Sequence, residues 1–348
     1  MTVAVLAAEP GVLSMYHSTF PFHLEGGGVL PSLTIAYRTW GELSPHGDNV
    51  IWICHALTGD SLATQWWDAI VGPGKVIDTN RFFVVCATMI GSCYGSTGPR
   101  SIDPITGDPY GTSFPLITIR DMVRAHIELR KELAIRRIRA VVGGSMGGQQ
   151  ALEWAVMEPD VIAAAVPIAT NARHSPWGIA FNASQRMALE ADPTFFDNRP
   201  DAGTRGLAAA RAIGMLSYRT HALYNGRQRE SDDIISGFRA ESYQRHQGQK
   251  LVERFHAHAY WTLTRAMDSH DVGRGRGGTG AALRAIKAEM LVIGIDTDLL
   301  FPEEEQHFIV DMVPKATYRR LRSNAGHDAF LLDQDRLALL LQSSPIFS

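Results

Sequence analysis

Cysteine is scarce in these 348 residues: only Cys54, Cys86 and Cys93 occur, an odd number without C-x-x-C spacing. That excludes a disulfide framework and a four-cysteine zinc site, and it fits a reducing compartment. Long apolar runs are missing too. Val161 to Ala169, among the longest, falls well short of the roughly 20 residues a bilayer demands, so no membrane span is expected. The apolar start, Met1 to Glu9, has no preceding Lys or Arg and reads as no export signal, so a cytoplasmic location is expected. Neither sign of charge dominates: 33 basic against 36 acidic side chains leave −3. A dedicated nucleic-acid binder would carry a basic domain or stripe, so none is expected as partner; a small molecule is. What is plentiful is apolar surface. With 45% hydrophobic residues the chain can bury a sizeable core and is not disordered.

Short β-branched or aromatic runs ending in glycine-bearing loops read as buried parallel strands: Val50 to Cys54, Arg81 to Ala87, Ile138 to Val142, Val161 to Ile168, Met290 to Ile295 and Thr317 to Leu321. Ile119, Met122, Val123 and Ile127 recur at helical spacing between them, as do Ala151, Leu152, Ala155 and Val156. Such alternation predicts a doubly wound α/β fold. Between about Thr170 and Ala282 the strand pattern gives way to long helical stretches, Gly206 to Leu223 and Phe238 to Met267. Residues 1–169 and 283–348 are therefore expected to form the α/β core and 170–282 a helical insertion. The Arg-Gly run from Gly273 to Gly278 near its end reads as a solvated flexible connector rather than an RNA-contacting segment.

The chemistry centres on Gly143-Gly144-Ser145-Met146-Gly147, a G-x-S-x-G sequence between a strand and a helix. Such a match arises by chance in a glycine-rich chain, but the flanking elements are those of a nucleophile elbow. A serine held on a tight strand-to-helix turn needs small neighbours, and the helix start aims N–H groups at the reaction centre. A serine hydroxyl is a weak nucleophile and requires a base and an orienting acid, in the chain order Ser, Asp, His. Of 13 histidines, His327 alone lies in a short glycine-flanked loop after the last strand. Past Met290 to Ile295, Asp296 and Asp298 compete for the acid, and spacing does not choose between them. An oxyanion hole needs two N–H donors. Met146 follows the nucleophile, and Ala56 or Leu57 lies in the loop after Val50 to Cys54, which His55 is expected to shape. His256 and His258 could ligate a metal, yet H-E-x-x-H is absent, so no metal is expected. Cys93 reads as a small buried side chain in a tight loop.

These residues resemble a known family. His55 to Asp60, the Gly91 to Pro99 loop, Gly143 to Trp154, Ile168 to Arg173, Ile179 to Asn182, Glu241 to Tyr243 and Gly326 to Leu332 resemble the homoserine O-acetyltransferases of the α/β-hydrolase superfamily, over roughly Phe20 to Asp333. The resemblance implies an α/β-hydrolase fold with a helical lid and transfer of an acetyl group from acetyl-CoA, the co-substrate, to L-homoserine, with no permanently bound cofactor. It implies Asp298 as the triad acid beside Ser145 and His327, Leu57 and Met146 as oxyanion donors, Arg219 for the substrate carboxylate, Asp328 for its ammonium, and a homodimer through lid helices. Leu300, where members using succinyl-CoA are expected to carry arginine, favours acetyl. Ser92, Leu299 and Gln149 depart from the family pattern and bear on specificity.

Overall fold

The computed structural model describes residues 10–348; the Met1 to Glu9 stretch lies outside the described residues. Eight strands build the main sheet: β1 (Ser14–Ser18), β2 (Leu33–Trp40), β3 (Val50–Cys54), β4 (Phe83–Ala87), β5 (Ile138–Gly144), β6 (Ala164–Ile168), β7 (Glu289–Ile295) and β8 (Ala316–Leu321). Their spatial order is β1-β2-β4-β3-β5-β6-β7-β8. β1 pairs with β2, and β2 with β4, antiparallel; β4, β3, β5, β6, β7 and β8 form the parallel sheet that the apolar runs predict.

Period-two alternation sends the residues of each strand to opposite layers. Val50, Trp52 and Cys54 of β3 join one apolar cluster, whereas Ile51 and Ile53 join the other. The first is covered by α1 (Ile119–Glu132) and α2 (Met146–Met157). Thr118 starts α1 with a capping box: its hydroxyl accepts from the Asp121 N–H, and the Asp121 carboxylate accepts from the Thr118 N–H.

Between β6 and β7 the chain runs through α3 (Pro176–Glu190), α4 (Thr204–Tyr218), α5 (His221–Arg227), α6 (Arg239–Val252), α7 (Ala257–Asp268) and α8 (Thr279–Arg284). Helices α9 (Glu303–Met312) and α10 (Gln334–Gln342) follow β7 and β8. Leu207, Leu251, Tyr260 and Leu263 of the insertion share one apolar cluster with the core strands, so burial of these helices and of the sheet face is continuous.

Two expected helices are each broken once. Gly206 to Leu223 is interrupted at Arg219, whose φ of −120° and ψ of 150° are extended, and Thr220 then caps α5 by accepting from the Leu223 N–H. Phe238 to Met267 is interrupted between α6 and α7, where the His256 side chain caps α7 by accepting from the His258 N–H. The Arg-Gly run is corrected as well. Arg274 pairs with Glu25 at 2.8 Å and Arg276 with Glu153 at 2.9 Å, so buried or half-buried carboxylates fix the connector onto the core. No helix among the described residues is long and apolar enough to cross a membrane.

Candidate active site

Parallel strands ending at one edge of a sheet leave their loops side by side, and ligands bind at that edge. Ser145 sits there, at the turn between β5 and α2, with φ 58° and ψ −125°, a left-handed conformation rare for a residue with a side chain. The strain is held by packing: a Cβ at Gly147 would run into the Cys54 carbonyl, and one at Gly143 into the Gly147 carbonyl. The Ser145 N–H donates to Ile168 O at 2.9 Å and its carbonyl accepts from Thr170 Oγ1 at 2.8 Å, so the last residue of β6 and the Thr170 side chain just past it fix the turn from the other side.

The loops after β7 and β8 bring the other two residues to it. Asp298 Oδ2 lies 2.7 Å from His327 Nδ1, and His327 Nε2 lies 2.8 Å from Ser145 Oγ. A carboxylate oxygen only accepts, so the imidazole proton sits on Nδ1 and Nε2 receives the serine hydroxyl. The second Asp298 oxygen accepts from the Leu300 and Phe301 N–H groups at 2.8 and 2.9 Å, which fixes the carboxylate plane. Asp296 stands outside this relay: it is exposed and accepts from the Ser323 N–H. Phe301 stacks on His327 at 5.1 Å, with Phe330 and Tyr218 at 5.6 and 5.9 Å, so the ring is buried.

Burial by itself would lower the His327 pKa, but the charge of Asp298 and its hydrogen bond, aided by Asp328, raise it above the ordinary 6.5. A base works only when neutral, and its protonated fraction grows as pH falls. The acid limb of kcat/KM is therefore expected above pH 6.5. A pH–rate profile whose acid limb fell below that value would remove His327 from the role of base.

The residues expected to give the oxyanion donors lie next to this relay. Leu57 lines a cavity of 130 Å³ with Ser145, His327, Asp328 and Leu300, and Met146 begins α2 immediately after the serine. Among the described residues no protein acceptor takes either N–H. His55 does shape this loop: its Nδ1–H donates to Ala56 O at 2.9 Å while Nε2 accepts from the Met89 N–H at 3.2 Å.

Arg219 and Asp328 are brought together, but with each other: Nη2 and Oδ2 are 3.0 Å apart. Arg219 is not among the cavity-lining residues, whereas Arg211, overlooked in the sequence, is. Its guanidinium lies over the Tyr218 ring at 5.3 Å, and among the described residues no carboxylate pairs with it. Asn182, Gln185, Arg254 and Met267 complete the wall from the insertion. Larger hollows exist, one of 670 Å³ lined by Arg137, Lys287 and Lys315, but it lies at the opposite ends of the parallel strands, away from Ser145.

The insertion touches each loop that carries a site residue. Trp177 Nε1 donates to Leu299 O at 2.8 Å beside Asp298, Arg219 pairs with Asp328 beside His327, Arg254 donates to Thr58 O at 2.6 Å beside Leu57, and Arg276 pairs with Glu153 on α2, the helix that follows Ser145. The remaining candidates have structural roles. His258 donates to Phe195 O at 2.6 Å, and burial lowers His256 to about 4. The Cys93 thiol is pushed up to about 11 by burial, so it is no nucleophile at neutral pH. Among the described residues no cluster of three or more metal-ligating side chains occurs.

Residues 49–334 match the family model of the alpha/beta hydrolase fold. The chain is 48% identical to the homoserine O-acetyltransferase of Cyclobacterium marinum over 320 residues, covering 92% of this chain and 91% of that one. Among solved structures, the homoserine O-acetyltransferase from Bacillus anthracis matches with a TM-score of 0.89 and 26% identity, over 96% of this chain and 97% of that one. Esterase E22 matches with the same TM-score at 25% identity, over 97% of this chain and all of that one.

Proposed function

The chain belongs to the homoserine O-acetyltransferase family of the α/β-hydrolase fold, and from that premise we propose that it acetylates the hydroxyl of L-homoserine by double displacement, with acetyl-CoA as donor. The observation that carries this reading is the relay Ser145–His327–Asp298 on the floor of a small cavity whose wall presents a cation, Arg211, and a carboxylate, Asp328. An esterase needs the relay; an amino-acid acceptor needs the two charges.

In the first half-reaction Ser145 Oγ attacks the thioester carbon as its proton passes to His327 Nε2, and the Leu57 and Met146 N–H groups receive the developing oxyanion. The C–S bond then breaks and the proton leaves with the thiol. In the second half the homoserine hydroxyl gives its proton to His327 and attacks the acetyl-serine, whose Oγ recovers that proton as the ester bond breaks. Asp298 stabilises the imidazolium throughout. We assign the substrate carboxylate to Arg211, whose guanidinium lies over Tyr218 and pairs with no carboxylate among the described residues, and its ammonium to Asp328, with Arg219 holding Asp328 in place.

The cavity, at 130 Å³, is below the ~300–1,000 Å³ of drug-sized sites and suits a small acceptor while limiting competing water. In this reading helices α3 to α8 are the lid, and the CoA arm enters past them. Leu300 and Met267 give the wall an apolar stretch that suits acetyl rather than succinyl. Exposed Ile235 and Phe238 of the insertion support a homodimer through this segment, with sedimentation at micromolar concentration as its check.

The test is thiol release from acetyl-CoA with and without homoserine. Release that requires homoserine supports the transferase; release equally fast without an acceptor makes the protein a hydrolase. Arg211→Met is expected to raise the homoserine KM at least about tenfold, from loss of a charge-assisted pair worth about 1.5–3 kcal/mol, while leaving the acylation burst unchanged. An unchanged KM would return the carboxylate to Arg219.

A further inference from the structure

The loop carrying Leu57 is a four-residue turn, Ala56 to Gly59, closed by the Gly59 N–H donating to Ala56 O at 2.9 Å. In a trans peptide the carbonyl and the following N–H point opposite ways. The Ala56 carbonyl is held by Gly59 and His55, so the Leu57 N–H on the far side of that same peptide is aimed away from both. At Thr58 the turn is held from the insertion. Its Thr58 carbonyl accepts from Arg254 Nη1 at 2.6 Å, and Thr58 Oγ1 accepts from Nη2 at 3.2 Å. Nη1 also donates to the Tyr94 hydroxyl at 2.9 Å, and Phe255 packs edge-on against the Tyr94 ring at 5.6 Å. Arg254 sits in the break between α6 and α7, so the non-helical backbone there delivers the guanidinium to the cavity wall.

We propose that Arg254 is a positioning residue supplied by the helical insertion, which locks the Thr58–Gly59 peptide and thereby holds the Leu57 N–H on the developing oxyanion. The inference rests on the acyl-serine reading above and names what keeps its second donor in place. The guanidinium acts through the turn and need not touch either substrate. A donor that is free to swing loses part of its effect without being removed; deletion of an oxyanion donor costs about 10²–10³ in turnover, so misplacement is expected to cost roughly 10- to 100-fold.

The experiment compares Arg254→Gln, Arg254→Lys, Arg254→Ala and Tyr94→Phe with wild type in the thiol-release assay, with Ser145→Ala as control. Arg254→Gln is expected to slow the acylation burst and kcat roughly 10- to 100-fold, with the homoserine KM within about twofold and the acid limb of the pH profile unmoved. Arg254→Lys is expected to keep part of the rate through one donor to Thr58 O. Tyr94→Phe, a milder change at the same guanidinium, is expected to lower kcat in the same pattern to a smaller extent. Added guanidinium ion is expected to restore Arg254→Ala and leave wild type unchanged, which a loss of folding would not allow. A kcat within twofold of wild type in Arg254→Gln would overturn the inference, as would a defect confined to the acetyl-CoA KM or no rescue by guanidinium. Should Ser145→Ala itself keep releasing thiol, the acyl-serine reading falls; with Ser145→Ala inactive and Arg254→Gln unimpaired, only the role of Arg254 does.

Discussion

Ser145→Ala is expected to lower turnover by about 10⁶ while leaving the fold intact. The hydroxyl is the one atom in the cavity with both a base 2.8 Å away and a helix start behind it, and nothing nearby replaces it as nucleophile: Cys93 lies in another loop with its thiol pushed up by burial. The substitution removes a single hydrogen bond, to His327, which keeps Asp298 on its other nitrogen. The φ of 58° is no harder for alanine than for serine, and the backbone bonds to Ile168 and Thr170 persist. Thermal melting is expected to match wild type, and incubation with acetyl-CoA is expected to leave no acetyl adduct in the mass spectrum. Retention of more than about 1% of kcat would remove the serine from the mechanism.

Asp298→Asn is expected to cost about 10⁴ in kcat. Asparagine keeps the shape, and its carbonyl oxygen can still accept from the Leu300 and Phe301 N–H groups. Holding that oxygen there turns the amide NH₂ toward His327 Nδ1. Facing a donor, Nδ1 becomes the acceptor, the proton moves to Nε2, and the ring then presents a donor to Ser145 where an acceptor is needed. The imidazolium also loses its counter-charge. A kcat within tenfold of wild type, with melting unchanged, would show that orientation by Asp298 contributes little. Asp296→Asn, altering an exposed residue that accepts only from Ser323, is the matched control and is expected to have little effect.

Much of this site is legible in the sequence because its physics is local. The elbow needs glycine at 143 and 147, a strand before and a helix after, and each of those is written within a few residues. The parallel strands announce themselves as apolar runs because both faces are covered. Strand β2, Leu33 to Trp40, escapes that search because polar Thr34, Arg38 and Thr39 interrupt it at the antiparallel side of the sheet. What fails is the information that depends on packing between distant segments. Asp296 and Asp298 are two residues apart, so spacing leaves both open; the family resemblance implies Asp298, and the position of His327 shows the physical difference between them. Arg211 reads as the solvated face of an amphipathic helix until α4 is laid over the cavity. The breaks at Arg219 and between α6 and α7 contain neither proline nor glycine to mark them. The Arg-Gly run looked flexible by composition, and its carboxylate partners Glu25 and Glu153 lie more than a hundred residues away.

The four contacts from Trp177, Arg219, Arg254 and Arg276 bear on how such a molecule can be recombined. Each joins the insertion to a different part of the core, three to loops and one to α2, so the segment is not a cassette. A chimera carrying a relative's helices on this core would retain Ser145, Asp298 and His327 yet leave Leu299, Asp328, Thr58 and Glu153 facing foreign partners. Exchange of the whole segment is expected to preserve turnover only where all four anchors are exchanged with their loops. Acceptor choice and catalytic rate are then inherited together, as a single unit.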